Sequence, residues 1–513
     1  MAGCADRQPH RAESPPASMR LPAPDPHPDP LSAYFHKTDR PLEGGSAFYS
    51  LTLPSDALAA RLFLIDHAQN RLDLQYYIYE NDTIGSLVTY HLIQAANRGV
   101  KVRLLLDDIS TTCKDAAIVT LARHPNIEVR LFNPNRFRSF FRNFALLLGI
   151  ETLGKRMHNK ALVADDDAAI VGGRNIADIY YAGDEKTLFL DYDVLAIGGV
   201  VGEIAEEYET YWNSREAVPV KELIDPDETL EWKEIRARVA ASVAEFHESR
   251  IGKALPQAPF YRAVRNDTLE FIVADGTKLY YDPPDKVVTD EKNDADFISR
   301  QIDETLKKAK KEIIVISPYF IPSQGMLRRF KTLRKSGVRV VVVTNSLAST
   351  DVFPVYSGYY KYIGPLVRMG VELYELKPEV LRHLPNGETQ KPPTLSLHTK
   401  LVLFDDERMA VGSANIDPRS EKLNTELVLF ITSKKLTTQK KRIVTKLLDL
   451  EHLYRLSWDK LPKGPYGDFT LYGPVWETME KGKRVRYYSP PKASMGRRVG
   501  AGLLRLLPIE GYL

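Results

Sequence analysis

The stretch "MHNKALVADDDAAIVGGRN", Met157–Asn175, has a counterpart in "LHTKLVLFDDERMAVGSAN", Leu397–Asn415, and the pair decides how the chain is read. In each, a lysine follows the histidine by two residues, an aspartate by seven, a glycine by fourteen and an asparagine by seventeen. The histidines, His158 and His398, stand 240 residues apart. One H-x-K-x4-D match arises by chance without difficulty, but two with glycine and asparagine at identical offsets do not. Each stretch reads as strand, acidic turn, strand. Side chains alternate along a strand, so His158 and Lys160 share a face, as do His398 and Lys400. Asp165 and Asp405 have the opposite parity and fall where the strand ends, which suits them to shaping the turn and neutralising a nearby base. Asn175 and Asn415 end the returning strand, just after a glycine that permits close backbone approach.

The surroundings of the two stretches repeat as well. "RLDLQYYIYE" (71–80) alternates like a strand, "IGSLVTYHLIQAANRG" (84–99) has a helical pattern stopped by Gly99, and "VKVRLLLDD" (100–108) is a second strand. "KEIIVISPYF" (311–320), "GMLRRFKTLRKSG" (325–337) and "VRVVVVTNS" (338–346) repeat that order, ending the helix at Gly337. A repeat this long means two similar domains, not a solenoid. The expected organisation is a flexible proline-rich tail over 1–45, a first lobe over 46–212, a charged helical connector over 213–264, a second lobe over 265–470, and a basic then apolar tail over 471–513.

Length and composition fit this picture. The 513 residues suffice for two or three domains, and 70 basic against 67 acidic side chains demand no nucleic acid or acidic partner. Cys4 and Cys113 form no CxxC pair and flank no His cluster, so neither a zinc site nor a disulfide framework is expected. No apolar run approaches the ~20 residues of a membrane span. The N-terminus shows no apolar signal region, although Ala-Gly-Cys resembles the end of a bacterial lipoprotein signal, and Cys4 would be acylated if the true start lay upstream.

Two histidines, two lysines and two asparagines suit attack on a phosphodiester. The five-coordinate transition state gathers negative charge, which lysines and amide donors stabilise as an oxyanion hole does. Ser413 could add a hydrogen bond to phosphate, although the first copy has Gly173 there. Fixed cations could replace a metal, and no carboxylate cluster looks like a metal cage. One histidine must be neutral to attack while the other protonates the leaving alcohol and then activates the incoming one. Such histidines need a partner on the far nitrogen. The second copy offers Glu426, and the first offers Asp191 or Asp193, of which Asp193 is taken.

Paired HxKxxxxD motifs, each followed by G[GS]xN, resemble the phospholipase D superfamily, over about Ser46 to Trp458. "HNKALVADDDAAIVGGRNIADIYY", "GSANIDPRSEKLNTEL" and "LLRLLPIEGYL" are similar in particular to bacterial cardiolipin synthases of the C type. The resemblance implies an α/β chain of two similar lobes, each a mixed sheet flanked by helices, sharing one active site between them. It implies an acid beside each histidine, a phosphohistidine intermediate, His158 as the nucleophile and His398 as acid and base, and no cofactor.

Three features favour phospholipid as substrate and a membrane surface as partner. "NRFRSFFRNFALLLGIETLGKR" (135–156) is basic, then aromatic, then aliphatic. "DVFPVYSGYYKYIGPLVRMG" (351–370) is crowded with tyrosines that would suit the headgroup level. The C-terminal segment is basic, then apolar. The expected product is a phosphatidyltransferase acting on phosphatidylglycerol, with phosphatidylglycerol or phosphatidylethanolamine as donor, at the bacterial cell membrane. Phospholipase D hydrolysis, a nuclease and a non-enzymatic lipid-binding module are the alternatives.

Overall fold

The computed structural model describes all residues except 1–27, 109–114, 135–153, 184–185, 224–231, 290–297, 380–392, 463–469 and 507–513. Its frame is two large mixed sheets. Across the first, the strands run Ile272–Val273, Ser46–Leu51, Asp193–Gly198, Ala168–Gly172, Ala161–Ala164, Arg71–Tyr76, Lys101–Asp107, Ile127–Phe132 and Ala217–Pro219. The second runs Gly276–Tyr281, Leu427–Thr432, Arg408–Gly412, Leu401–Phe404, Glu312–Ile316, Arg339–Asn345, Glu372–Leu376, Leu453–Lys460, Tyr472–Glu480 and Lys483–Tyr487. From Ser46–Leu51 to Ile127–Phe132, and from Gly276–Tyr281 to Glu372–Leu376, the strands follow the same order. The expected hairpins and βαβ units are all present, and Gly99 and Gly337 end their helices at φ +101° and +83°, a conformation that favours glycine.

Alternation sorts the apolar residues of each sheet between two cores. Leu162, Ala164 and Ile170 face outward with helices Pro54–His67 and Thr83–Asn97. Ala161, Val163 and Val171 face inward, into a core shared with Leu401, Leu403, Met409 and Val411 of the second lobe. Val402 and Phe404 point the other way, toward helices Gln324–Lys335 and Phe353–Arg368. Burying one large aliphatic side chain contributes roughly 1.5–3 kcal/mol, so a core shared by both lobes holds them as one body. Backbone pairing reinforces this. The strand Thr394–Leu397, which leads into the second hairpin, runs parallel to Thr187–Leu190 of the first lobe, and a bridge joins Met157, ahead of the first hairpin, to Thr425 of the second lobe.

Several expected boundaries shift. Within the expected tail 1–45, Leu31 and Phe35 are buried in the first lobe's core, because apolar side chains lie in reach of Phe63 and Phe271. The expected connector 213–264 joins the first lobe: Ala217–Pro219 extends its sheet and helix Trp232–Glu248 packs on Thr83–Asn97. Ile272–Val273, expected in the second lobe, pairs with Ser46–Leu51 of the first. In place of a tail after 471, two strands lengthen the second sheet and a helix follows, Met495–Leu504. The tyrosines of 351–370 mostly serve packing: Tyr356 and Tyr359 are buried, and Tyr356 donates to Glu375. Cys4, Cys113 and most of the segment 135–156 lie outside the described residues. Among the described residues no helix is long and apolar enough to cross a membrane.

Candidate active site

His158 and His398 each sit just before a central strand, Ala161–Ala164 or Leu401–Phe404, and both are buried. Each is held by the other lobe. The His158 amide donates to Thr425 O at 2.9 Å, and that of His398 to Leu190 O at 2.8 Å. The side chains cross in the same way. His158 Nδ1 lies 2.9 and 3.1 Å from the carboxylate oxygens of Glu426, in lobe two, and His398 Nδ1 lies 2.7 Å from Asp191 Oδ2, in lobe one. Both acids thus hold a proton on Nδ1 and leave Nε2 for chemistry.

Lys160 donates to its neighbour's carbonyl, His158 O, at 2.5 Å, and Lys400 to His398 O at 2.6 Å. Lys400 Nζ also stands 3.0 and 3.1 Å from the ring nitrogens of His398. Charge is felt across the lobes: Lys400 acts on His158, while Lys160 and His158 act on His398. The four buried groups therefore lie close enough to feel one another's charge. Tyr77 sets its ring edge-on to His158 at 5.0 Å. Phe189 stacks on His398 and Tyr180 meets it edge-on, both at 5.0 Å.

Burial governs the electrostatics. It pushes His158 down to about 4 against the pull of Glu426, and it drives His398 well below the usual histidine range with help from Lys400 and Lys160. Burial likewise brings Lys160 down to about 7 and Lys400 to about 8, since each removes an ammonium from water. The acids differ. Burial pushes Asp191 upward. It pushes Glu426 upward too, but attraction to His158 and the bonds from His158 and Ser413 outweigh it and hold Glu426 below the usual carboxylate range. A neutral imidazole beside a firmly ionised acid is the form that attacks phosphorus.

Two expectations are corrected. Asp193 does not bond a histidine: its carboxylate is buried between the guanidinium groups of Arg61 and Arg174, at 3.0 and 3.1 Å, and Asp191 takes the expected place. The ladder shows why, since Gly172 pairs with Asp193 where Gly412 pairs with Val428, which sets Asp191 level with Glu426. Ser413 spends its hydroxyl on the acid: it donates to Glu426 at 2.5 Å and accepts from the Leu427 amide at 2.9 Å. Its counterpart Gly173 leaves room for the shorter acid, for a Cβ there would stand 2.2 Å from Asp191 Oδ1. Asp165 and Asp405 stand away from the histidines' acids and lysines. Asp165 accepts from the amides of Gln69, Asn70 and Arg71 at 2.6–2.8 Å, and Asp405 from those of Lys310, Lys311 and Glu312 at 2.7–3.2 Å. They secure the start of the neighbouring strand, in keeping with a turn-shaping role.

The asparagines differ as well. Asn175 accepts from the Ile78 amide and donates to Tyr180 Oη at 2.7 Å, whereas Asn415 Oδ1 is buried with no partner. Residues missed in the sequence include Ser420, which donates to Glu426 at 2.6 Å, and the aromatic walls Tyr77, Tyr180 and Phe189. Tyr180 lay in plain view in "NIADIYY"; the others carry no pattern of their own. Among the described residues no three His, Cys, Asp or Glu side chains cluster as metal ligands.

Comparison with known proteins agrees with this geometry. The family described as "Cardiolipin synthase, PLD-like domain" matches residues 62–214 and 302–448, one match per lobe. The chain is 34% identical to cardiolipin synthase C of Escherichia coli (strain K12) over 477 residues, 92% of this chain and 97% of that one. It is 27% identical to cardiolipin synthase A of Pseudomonas putida (strain W619), over 74% of this chain and 64% of that one. A crystal structure of phosphatidylserine synthase from Haemophilus influenzae Rd KW20 shares the fold, with a TM-score of 0.54 over 81% of this chain and 90% of that one, at 15% identity. The chain belongs to the phospholipase D superfamily, within the family of cardiolipin synthase, phospholipase D-like domains.

Proposed function

We propose that this chain is a phosphatidyltransferase that makes cardiolipin: it moves a phosphatidyl group from phosphatidylglycerol or phosphatidylethanolamine to phosphatidylglycerol, at the surface of a bacterial membrane. The observation that carries the reading is the crossed pair of buried histidine–acid couples with a lysine beside each. Likeness to cardiolipin synthase C of Escherichia coli across nearly the whole chain supports the lipid substrate.

His158 Nε2 attacks phosphorus, and the bond from phosphorus to the leaving alcohol oxygen breaks as His398 supplies a proton to that oxygen. The phosphate anion supplies the charge that lets His398 hold this proton, and Asp191 steadies the resulting imidazolium. Lys160, Lys400 and Asn415 face the charge that builds on the phosphoryl oxygens. His398, now neutral, takes the proton of the incoming alcohol, whose oxygen displaces His158. Glu426 stays ionised throughout and balances the cationic phosphohistidine. Aromatic walls and burial limit water, which favours an alcohol over hydrolysis.

Purified protein should convert labelled phosphatidylglycerol in vesicles to cardiolipin, with or without phosphatidylethanolamine, and leave an oligonucleotide intact. Free phosphatidic acid as the main product would instead identify a hydrolase, and a cleaved oligonucleotide a nuclease.

A further inference from the structure

The helix Met495–Leu504 is turned inside out. On its inward face, Arg497 Nη1 donates to Leu347 O at 2.9 Å and Thr350 O at 3.1 Å, Ala501 is buried, and the Arg505 guanidinium lies 4.0 Å from the Tyr360 ring centroid. On its outward side Met495 is 76% exposed, Val499 54%, Leu503 61% and Leu506, just beyond the helix, 81%. Their spacing of four, four and three residues makes one stripe. A helix packed on a protein in water ordinarily faces the other way, with apolar groups in and arginines out.

The charge around the stripe has one sign. From Lys481 to Leu506 there are eight lysines and arginines and no acid, and Arg498 and Lys492 are exposed beside the stripe. The helix also stands at the rim of the active site. The carbonyls that hold Arg497 belong to the loop ending at Asp351, which accepts from Tyr319 Oη at 2.7 Å and whose charge reaches Lys400 and Tyr180. Val352, next in sequence, is exposed.

From the outward apolar stripe, its basic surround and its bond to the rim loop, we infer that Met495–Leu506 is the docking surface for an anionic phospholipid bilayer. The stripe enters the headgroup boundary, the cations meet anionic lipid, and the loop carrying Asp351 is thereby held against the bilayer so that the pocket opens toward the headgroups. This rests on the phospholipid reading of the active site.

The test is cosedimentation of the full chain with phosphatidylcholine vesicles, with and without phosphatidylglycerol. The double variant Val499→Asp, Leu503→Asp should lower binding to the anionic vesicles about tenfold or more. Arg498→Glu should remove most of the gain that phosphatidylglycerol gives. Both should keep the wild-type circular dichroism and the wild-type rate on a short-chain phospholipid below its micelle concentration, because neither touches the pocket. Wild-type vesicle binding by the double variant would overturn the inference. So would a wild-type dimer in sedimentation velocity that the double variant turns into a monomer, since a second copy would then cover the stripe. Binding that behaves as stated while no phospholipid is turned over would defeat the transferase reading and leave the docking surface standing.

Discussion

The two lobes share seven strands in one order, yet they finish their histidines differently. Glu426, reaching from lobe two to His158, is bonded by Ser413 and Ser420 and is held ionised. Asp191, reaching from lobe one to His398, is a methylene shorter. It fits against Gly173, takes the Tyr192 amide at 2.8 Å, and its backbone carbonyl is gripped by Arg174. Burial pushes it upward. A duplicated fold thus supplies two imidazoles of the same shape and gives them different charge environments. In the proposed mechanism the firmly ionised acid suits the histidine that stays cationic while it carries the phosphatidyl group. The other suits a histidine that gains and loses a proton in each cycle.

Substitutions that break the symmetry of the lobes should separate these roles. The largest effect belongs to His158→Ala, which should leave no measurable transfer. His398→Ala should lower kcat by about 10²–10⁴, and on a diester with a good leaving group, which needs no acid, it should regain a rapid first step, read as a burst of leaving group, while turnover stays slow for want of a base. Equal loss for both variants on both substrates would erase the distinction.

Next come the acids. Glu426→Gln and Asp191→Asn should each lower kcat about 10–100-fold, whereas Asp193→Asn should act mainly on stability, since its partners are Arg61 and Arg174. A thermal melt beside a kcat measurement distinguishes the two outcomes. The pH dependence is smaller. Lys160 and Lys400 in the free enzyme sit near 7 and 8 and must be ammonium to receive phosphate, so kcat/KM should fall as pH rises through that range. Lys160→Arg, which stays charged, should push that fall to higher pH. A flat profile would mean that neither lysine titrates there. Smallest for catalysis is Asp165→Ala: it should cost roughly 1–3 kcal/mol of stability through its stranded amides while kcat changes little.

Much of this was legible in the chain. The paired motif, the repeated βαβ units and the glycine stops announced two like lobes, because each rests on local pattern and exact spacing. The histidine–lysine pairs followed from strand parity. Asp193 misled because it directly precedes an apolar run, as Glu426 does, and a longer loop separates Asn175 from its acid than Asn415 from Glu426. Only the ladder register and the buried arginines distinguish Asp191 from its neighbour. Ser413 looked like a phosphate ligand because nothing in a sequence says which way a hydroxyl turns between two lobes. The crossing of acids from lobe to lobe is a long-range fact that parity along one strand cannot carry. The end segments depart from their local pattern for a related reason: edge strands such as Tyr472–Glu480 gain order from the sheet they extend, not from their own composition.

The central claim is that His158 carries the phosphatidyl group, and trapping the intermediate tests it most directly. The enzyme, mixed with phosphatidylglycerol labelled in its phosphate and quenched in base to preserve a phosphorus–nitrogen bond, should yield a labelled peptide containing His158. That label should persist in His398→Ala when the donor has a good leaving group. Label on the His398 peptide, retained in His158→Ala, would contradict the account.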